Sequence, residues 1–182
     1  MSLHVREMRA EDLEQVRAVD LACFPAMVPP TNYRTELINP MAHYLVALDD
    51  ALPPVEDASG RRQAFILGFT GLWLMAGEMH IINLAVHPDF RHRGIGERLL
   101  IQGIELAFEL SAVLMTLEVR VSNTAAQALY LKYGFTKRGV RKGYYLDNRE
   151  DAVIMTLDEL HESQYWARFN ELKAGYVGRW LT

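Results

Sequence analysis

The chain has 182 residues, half of them apolar and 23% charged, the balance of one soluble domain with at most an appendage. Nineteen Lys plus Arg against 23 Asp plus Glu leave a formal charge of −4, which argues against a nucleic-acid partner. The one cysteine, Cys23, has no internal disulfide partner, and no stretch approaches the roughly 18 consecutive apolar residues of a membrane span. The charged start MSLHVREMRAEDLEQ also lacks a signal peptide's apolar run, so a cytoplasmic protein that keeps off membranes is expected. The six histidines form no HExxH and there is no CxxC, so no metal site is expected.

In chain order, Val5 to Met8 reads as a short strand and Ala10 to Ala22 as a helix with Leu13, Val16, Val19 and Ala22 on one face. Pro25, Pro29 and Pro30 break that helix into a loop. Tyr33 to Ile38 suits a short helix ended by Asn39-Pro40, and His43 to Leu48 a strand. Asp49 to Gln63, with two prolines and four acidic residues, reads as a polar hairpin loop or a small insertion. Ala64 to Met75 and Met79 to Val86, rich in large apolar residues, predict a hairpin of central strands buried on both faces. After Pro88 a helix runs to about Leu110, its Leu99/Leu100, Gly103/Ile104 and Ala107/Phe108 pairs returning every four residues. Val113 to Val119 is a strand; Ser122 or Asn123 caps a helix through Tyr133, which Gly134 ends. Phe135 to Lys142 and Ala152 to Leu157 are two last strands joined by Tyr144 to Asp151. Strands lead, two helices interrupt and strands finish, which predicts a mixed α/β (α+β) sheet over residues 1–157. From 158 to 182, Leu160, Trp166, Phe169, Leu172, Tyr176 and Trp180 predict a helical extension that docks on the body or forms a dimer contact. Monomer and homodimer both stay open.

Arg91-His92-Arg93-Gly94-Ile95-Gly96 follows a strand and opens a helix. Glycines there let successive N–H groups point at one ligand, and the free amides and dipole of a helix start favour a phosphate group. Arg91 and Arg93 add charge beside it. No Gly-Lys-Ser/Thr follows, and Leu99 stands where a dinucleotide fingerprint has its third glycine, so neither of those loops is present. Local physics fits a glycine-rich turn capping a helix equally well.

The whole pattern carries more than the loop alone. Leu84-Ala85-Val86-His87-Pro88-Asp89-Phe90-Arg91-His92-Arg93-Gly94-Ile95-Gly96 resembles the pyrophosphate loop of the GCN5-related N-acetyltransferase (GNAT) superfamily. Leu117 to Asn123, Ala125 to Tyr130, Tyr133-Gly134-Phe135, Gly143-Tyr144-Tyr145 and Arg149 to Met155 resemble its ribosomal-protein alanine N-acetyltransferase (RimI) branch. The resemblance covers Leu3 to Leu157 and is densest from Ile82 onward; the 49–63 stretch is longer than the family needs and the tail after Leu157 has no obvious counterpart in it.

The resemblance implies a mostly antiparallel central sheet flanked by helices and acetyl-coenzyme A as co-substrate. It implies that Leu84, Ala85 and Val86 pair by main chain with the pantetheine arm. It implies that Arg91, His92, Arg93, Gly94, Ile95, Gly96 and Glu97 form the pyrophosphate cradle and that Asn123 meets the coenzyme from the other side. Glu118 and Tyr130 match the general base and general acid, Tyr130 at the coenzyme's thiol end, and Tyr144 and Tyr145 the residues flanking an acceptor peptide. Each has a plainer reading: a helix cap for Asn123, a salt-bridged surface Glu118, a core Tyr130, amphipathic loop aromatics for the tyrosine pair. An α-amine near pKa 7.8 is neutral in roughly one molecule in seven at pH 7, a lysine near 10.4 in about one in a few thousand, so one modest carboxylate suits an N-terminal amine. Direct transfer needs no acyl carrier, which disfavours Cys23 in that role. The expected activity is acetylation of a protein N-terminus, such as that of a ribosomal protein. A small-amine (polyamine or antibiotic) acetyltransferase and a non-catalytic acyl-coenzyme A-binding module remain the alternatives.

Overall fold

The computed structural model describes residues 3–24, 30–57 and 59–181. Pro25 and Pro29, two of the three prolines read as a helix breaker, lie outside these residues. A seven-stranded sheet is built from β1 (Leu3–Glu7), β2 (Ala42–Asp49), β5 (Ile66–Met75), β6 (Glu78–Val86), β7 (Leu114–Arg120), β9 (Ala152–Leu157) and β8 (Thr136–Arg141), in that spatial order. Its pairs are antiparallel apart from β6 with β7. The 49–63 stretch forms a separate two-stranded hairpin, β3 (Val55–Glu56) with β4 (Arg62–Gln63).

Helices cover both faces of the sheet. On one, the apolar stripe of α3 (Ile95–Glu109) buries Leu99, Leu100, Ile101, Ile104 and Ala107 against Leu72, Met79, Met115, Leu117 and Met155. Each such Leu or Ile contributes roughly 1.5–3 kcal/mol of hydrophobic burial. On the other, Val16 and Val19 of α1 (Leu13–Cys23) and Tyr33 of the one-turn α2 (Tyr33–Glu36) pack on Tyr44, Val46, Leu48 and Phe69. The first helix begins later than its periodicity suggests, because Ala10–Asp12 is a 3₁₀ turn; α2 ends at Glu36, ahead of Ile38.

The central hairpin departs from expectation in one strand. β5 is buried from Ile66 through Leu72, but β6 alternates, with Glu78 and Ile82 exposed and His80, Leu84 and Val86 half-buried. Two features cause this. Gly71 pairs with Asn83 and Leu72 with Ile81, so Ile82 is an extra residue, a β-bulge that reverses which side chains face α3. Met79 and Ile81 before it, and Leu84 and Val86 after it, all reach the α3 side, whereas Ala85 joins the opposite cluster. Moreover, β7 pairs with β6 only as far as Ile81 with Leu117.

After β9, α5 (Ser163–Trp180) lies antiparallel along α3. Trp166 meets Phe108 at 4.6 Å between ring centroids, Lys173 pairs with Glu105, and the Trp180 ring reaches Gly94. Tyr165, Phe169 and Tyr176 are buried in that seam, and the Tyr165 hydroxyl donates to the Tyr133 carbonyl at 3.2 Å.

Candidate active site

β6 and β7 part where their pairing stops. Asn83 to Val86 stay bonded to β5, but their other edge has no strand partner among the described residues, so the sheet opens into a V. Leu84, Ala85 and Val86 line this edge. An unpaired run of N–H and C=O groups can take an extended amide-bearing chain. Two cradle-side groups already use the end of it: the Val86 carbonyl accepts from Cys23 Sγ at 3.3 Å and from Arg91 Nε at 3.4 Å.

The open edge leads to the loop before α3. His92 (φ 61°) and Gly94 (φ 76°) are both left-handed, a geometry that turns consecutive amides toward one side, and Gly94 caps α3 without a side chain of its own. Ile95 is core, so it and Gly96 offer the loop only backbone N–H groups. The Glu97 carboxylate is taken up by Lys132 at 2.5 Å and the Tyr133 hydroxyl at 2.7 Å, which leaves its amide for a ligand. Arg93 lies over the Phe90 ring and donates to the Asp89 carbonyl, while Arg91 turns back toward Val86 and Cys23. Asn123 does cap α4 (Thr124–Lys132), its side chain accepting from the Ala126 amide at 3.1 Å. Gln127 ties that helix to β7 by donating to the Arg120 and Val121 carbonyls.

At the apex of the V the remaining predicted residues gather. Glu118 leaves β7 on the face opposite Leu117 and Val119, with a side chain only 8% exposed. His80 Nε2 lies 2.6 Å from one carboxylate oxygen and Arg141 3.2 Å from the other. The hydrogen bond from His80, above all, holds the Glu118 carboxyl below the usual range, so it is ionised at neutral pH. Tyr145 donates to the Glu118 backbone carbonyl at 3.5 Å; burial pushes its hydroxyl up to about 12, and Arg120 covers its ring at 3.9 Å. Arg120 also pairs with Asp147 and Glu150, which fastens the β8–β9 loop to the end of β7. Tyr144 stands at right angles to Tyr145, 5.2 Å away, and is more exposed. Tyr130 is 7% exposed against Phe135, and burial, with Tyr145 nearby, raises its phenol well above 10. Glu118, Tyr130, Tyr144 and Tyr145 therefore share one corner, and the loop from Arg91 to Glu97 lies along the edge that leads from it.

The acetyltransferase (GNAT) family model matches residues 13–135. The chain belongs to that family. It is an acetyl-coenzyme A-dependent N-acetyltransferase, as the likeness below bears out. A Bacillus subtilis (strain 168) protein, provisionally named as a ribosomal protein bS18-alanine N-acetyltransferase, is 38% identical over 152 residues, 83% of this chain and 92% of that protein. The N-alpha-acetyltransferase RimI of Mycobacterium tuberculosis is 31% identical over 71% of this chain and 75% of its own length. Among solved structures, the Escherichia coli ribosomal-protein-S18-alanine N-acetyltransferase superposes with a TM-score of 0.69 at 26% identity, covering 85% of this chain and 92% of that one. Both the superfamily and the RimI-like branch read from the motifs are thereby supported.

Sequence reading missed three groups at the apex. His80 and Arg141 reach Glu118 from β6 and β8, far away in sequence, so no spacing reveals them. Trp73 pairs directly across from His80 and donates its indole N–H to Glu36 at 2.7 Å, bringing a second carboxylate to the same face. The one available signal was His80 itself, the one imidazole inside that strand. An open groove of about 350 Å³ at the β1 edge, lined by Arg6, Arg61 and Arg62 among others, holds none of these groups.

Proposed function

We propose that this enzyme transfers acetyl from acetyl-coenzyme A directly to the N-terminal α-amine of a protein, the alanine end of ribosomal protein bS18 being the acceptor that its relatives' names point to. The observation that carries this reading is the meeting of Glu118, Tyr130 and the Tyr144–Tyr145 pair where the open edge of β6 begins. The backbone of Leu84, Ala85 and Val86 would hold the pantetheine arm. The amides of His92 to Glu97 would hold the diphosphate, with Arg91 and Arg93 adding positive charge and Asn123 flanking from α4. The bound coenzyme supplies an acyl thioester.

The residues of this chain then divide the proton work. An α-ammonium loses its proton easily, and Glu118, ionised and bonded to His80, passes that proton on to solvent, directly or through water. Its lowered pKa makes it a relay that does not keep the proton, so a free amine faces the thioester. Tyr130 stays protonated across the neutral range because burial disfavours its phenolate. It can therefore donate its hydrogen bond, and then its proton, to the departing sulfur. Tyr144 and Tyr145 flank the first residues of the acceptor, and the Glu118 carboxylate draws the ammonium end toward the corner.

A peptide panel tests this. Peptides beginning with alanine, other residues or a blocked terminus are incubated with acetyl-coenzyme A, and the acetylated position is located by mass spectrometry. Acetyl on the α-amine, lost when the terminus is blocked, is expected. Acetyl found only on lysine side chains or on an added polyamine would replace this acceptor with the small-amine class.

A further inference from the structure

The extension that follows the catalytic body ends on the coenzyme loop. Three contacts spaced along α5 keep it against α3, and the last of them sets the Trp180 ring directly over Gly94. A Cβ placed on Gly94 would come within 2.8 Å of three indole atoms. Gly94 is also left-handed, so its neighbours' amide directions depend on holding a torsion that glycine by itself does not fix. The same seam holds buried donors without a partner: the indole N–H of Trp180, the Arg98 Nε–H and the Tyr176 hydroxyl. Tyr176 and Trp180 are four residues apart on α5, and Arg98 is four residues after Gly94 on α3, so these donors belong to the two facing helix surfaces that meet at the loop. Buried donors without acceptors are costly, so the packing of this seam, above all the seat of the Trp180 ring on Gly94, has to offset them.

We propose that Trp180 is a positioning residue for the coenzyme's diphosphate: by seating on Gly94 it holds the 92–97 amides in their anion-binding arrangement, and α5 is thereby part of the coenzyme site. The proposal rests on the assignment of the diphosphate to this loop. Fixing the loop in advance lowers the ordering cost of binding, so the effect belongs to coenzyme affinity and leaves the chemical step alone.

The test compares wild type, Trp180→Ala and Trp180→Phe by calorimetry with acetyl-coenzyme A, and by steady-state kinetics with S-acetylpantetheine, which has the thioester and arm but no diphosphate. Trp180→Ala is expected to bind acetyl-coenzyme A about tenfold or more weakly, with Trp180→Phe within about threefold of wild type. Rates with S-acetylpantetheine should be the same for all three. Equal or tighter binding of acetyl-coenzyme A by Trp180→Ala overturns the proposal, as does an equal loss with S-acetylpantetheine, which would mark a fold-wide effect. Should Trp180→Ala not fold, Trp180→Leu keeps bulk while removing the ring plane and the N–H, and the same outcomes apply. If wild type itself fails to bind acetyl-coenzyme A, the loop assignment falls first, a result distinct from any of these.

Discussion

Tyr130 and Glu118 owe their properties to opposite surroundings. Tyr130 has apolar neighbours and keeps its proton; Glu118 has an imidazole and a guanidinium against it and gives its proton up. Removing the phenol should therefore lower kcat by about 10²- to 10⁴-fold while the KM for acetyl-coenzyme A stays nearly unchanged, because a proton donor acts only as the sulfur departs. Steady-state kinetics of Tyr130→Phe with a validated acceptor checks this; undiminished turnover would strip Tyr130 of the role. Glu118 is already ionised well below pH 6, so Glu118→Gln should depress the rate by a common factor from pH 6 to 9 and leave the rising limb where the acceptor amine's own ionisation puts it. The same ionisation bears on stability. A carboxyl whose folded pKa is depressed stabilises the fold above its ordinary value near 4.5, and that contribution fades as pH falls through the folded value. Denaturant unfolding of wild type and Glu118→Gln should thus differ above about pH 5 and converge in more acid solution.

Elements decide where those residues stand. α4 carries Tyr130 and is fixed at its start by the Asn123 cap and at its end by Gly134, held at φ 92°. Asn123→Ala should cost about 1 kcal/mol in unfolding free energy, read by thermal or denaturant melts. These boundaries were legible because caps and glycine stops are local chemistry: Asn123, Gly134, and the α3 stripe from Leu99 to Ala107 all announce themselves in a short window. The β6 bulge did not. Ile82 is one apolar residue among many, and only the pairing of its neighbours Asn83 and Ile81 with Gly71 and Leu72 shows that the strand changes phase there. For the same reason the strand's burial on both faces was expected and is not found: apolar content does not reveal that one edge lacks a partner. At the site, the resemblance proposed the chain-local loop, Glu118 and Tyr130 from sequence motifs, whereas His80 and Arg141 come to Glu118 through sheet order alone.

At the scale of the molecule, the function depends on a sheet that is continuous on one side of β6 and open on the other. α3 and its core weld β5, β6 and β7 together below Ile81, so the opening above it is a fixed feature of the packed fold. In the proposed mechanism its two walls carry different duties: the loop and α3 end for an anion, the β7–α4–β8 corner for proton transfer. Gly96 belongs to the first wall, 3.5 Å by its missing Cβ from Leu84 and Val86, so alanine fits there while a larger side chain does not. Gly96→Ala should retain coenzyme affinity and Gly96→Val should lose about tenfold or more in a calorimetric titration; wild-type affinity in the valine variant would mean the diphosphate lies elsewhere. The most direct measurement is an amide-resolved NMR titration of the whole chain with acetyl-coenzyme A. The signals of Leu84 to Val86 and His92 to Glu97 should move together and saturate at one stoichiometric site. Shifts confined to other parts of the sheet, with these amides silent, would contradict the account.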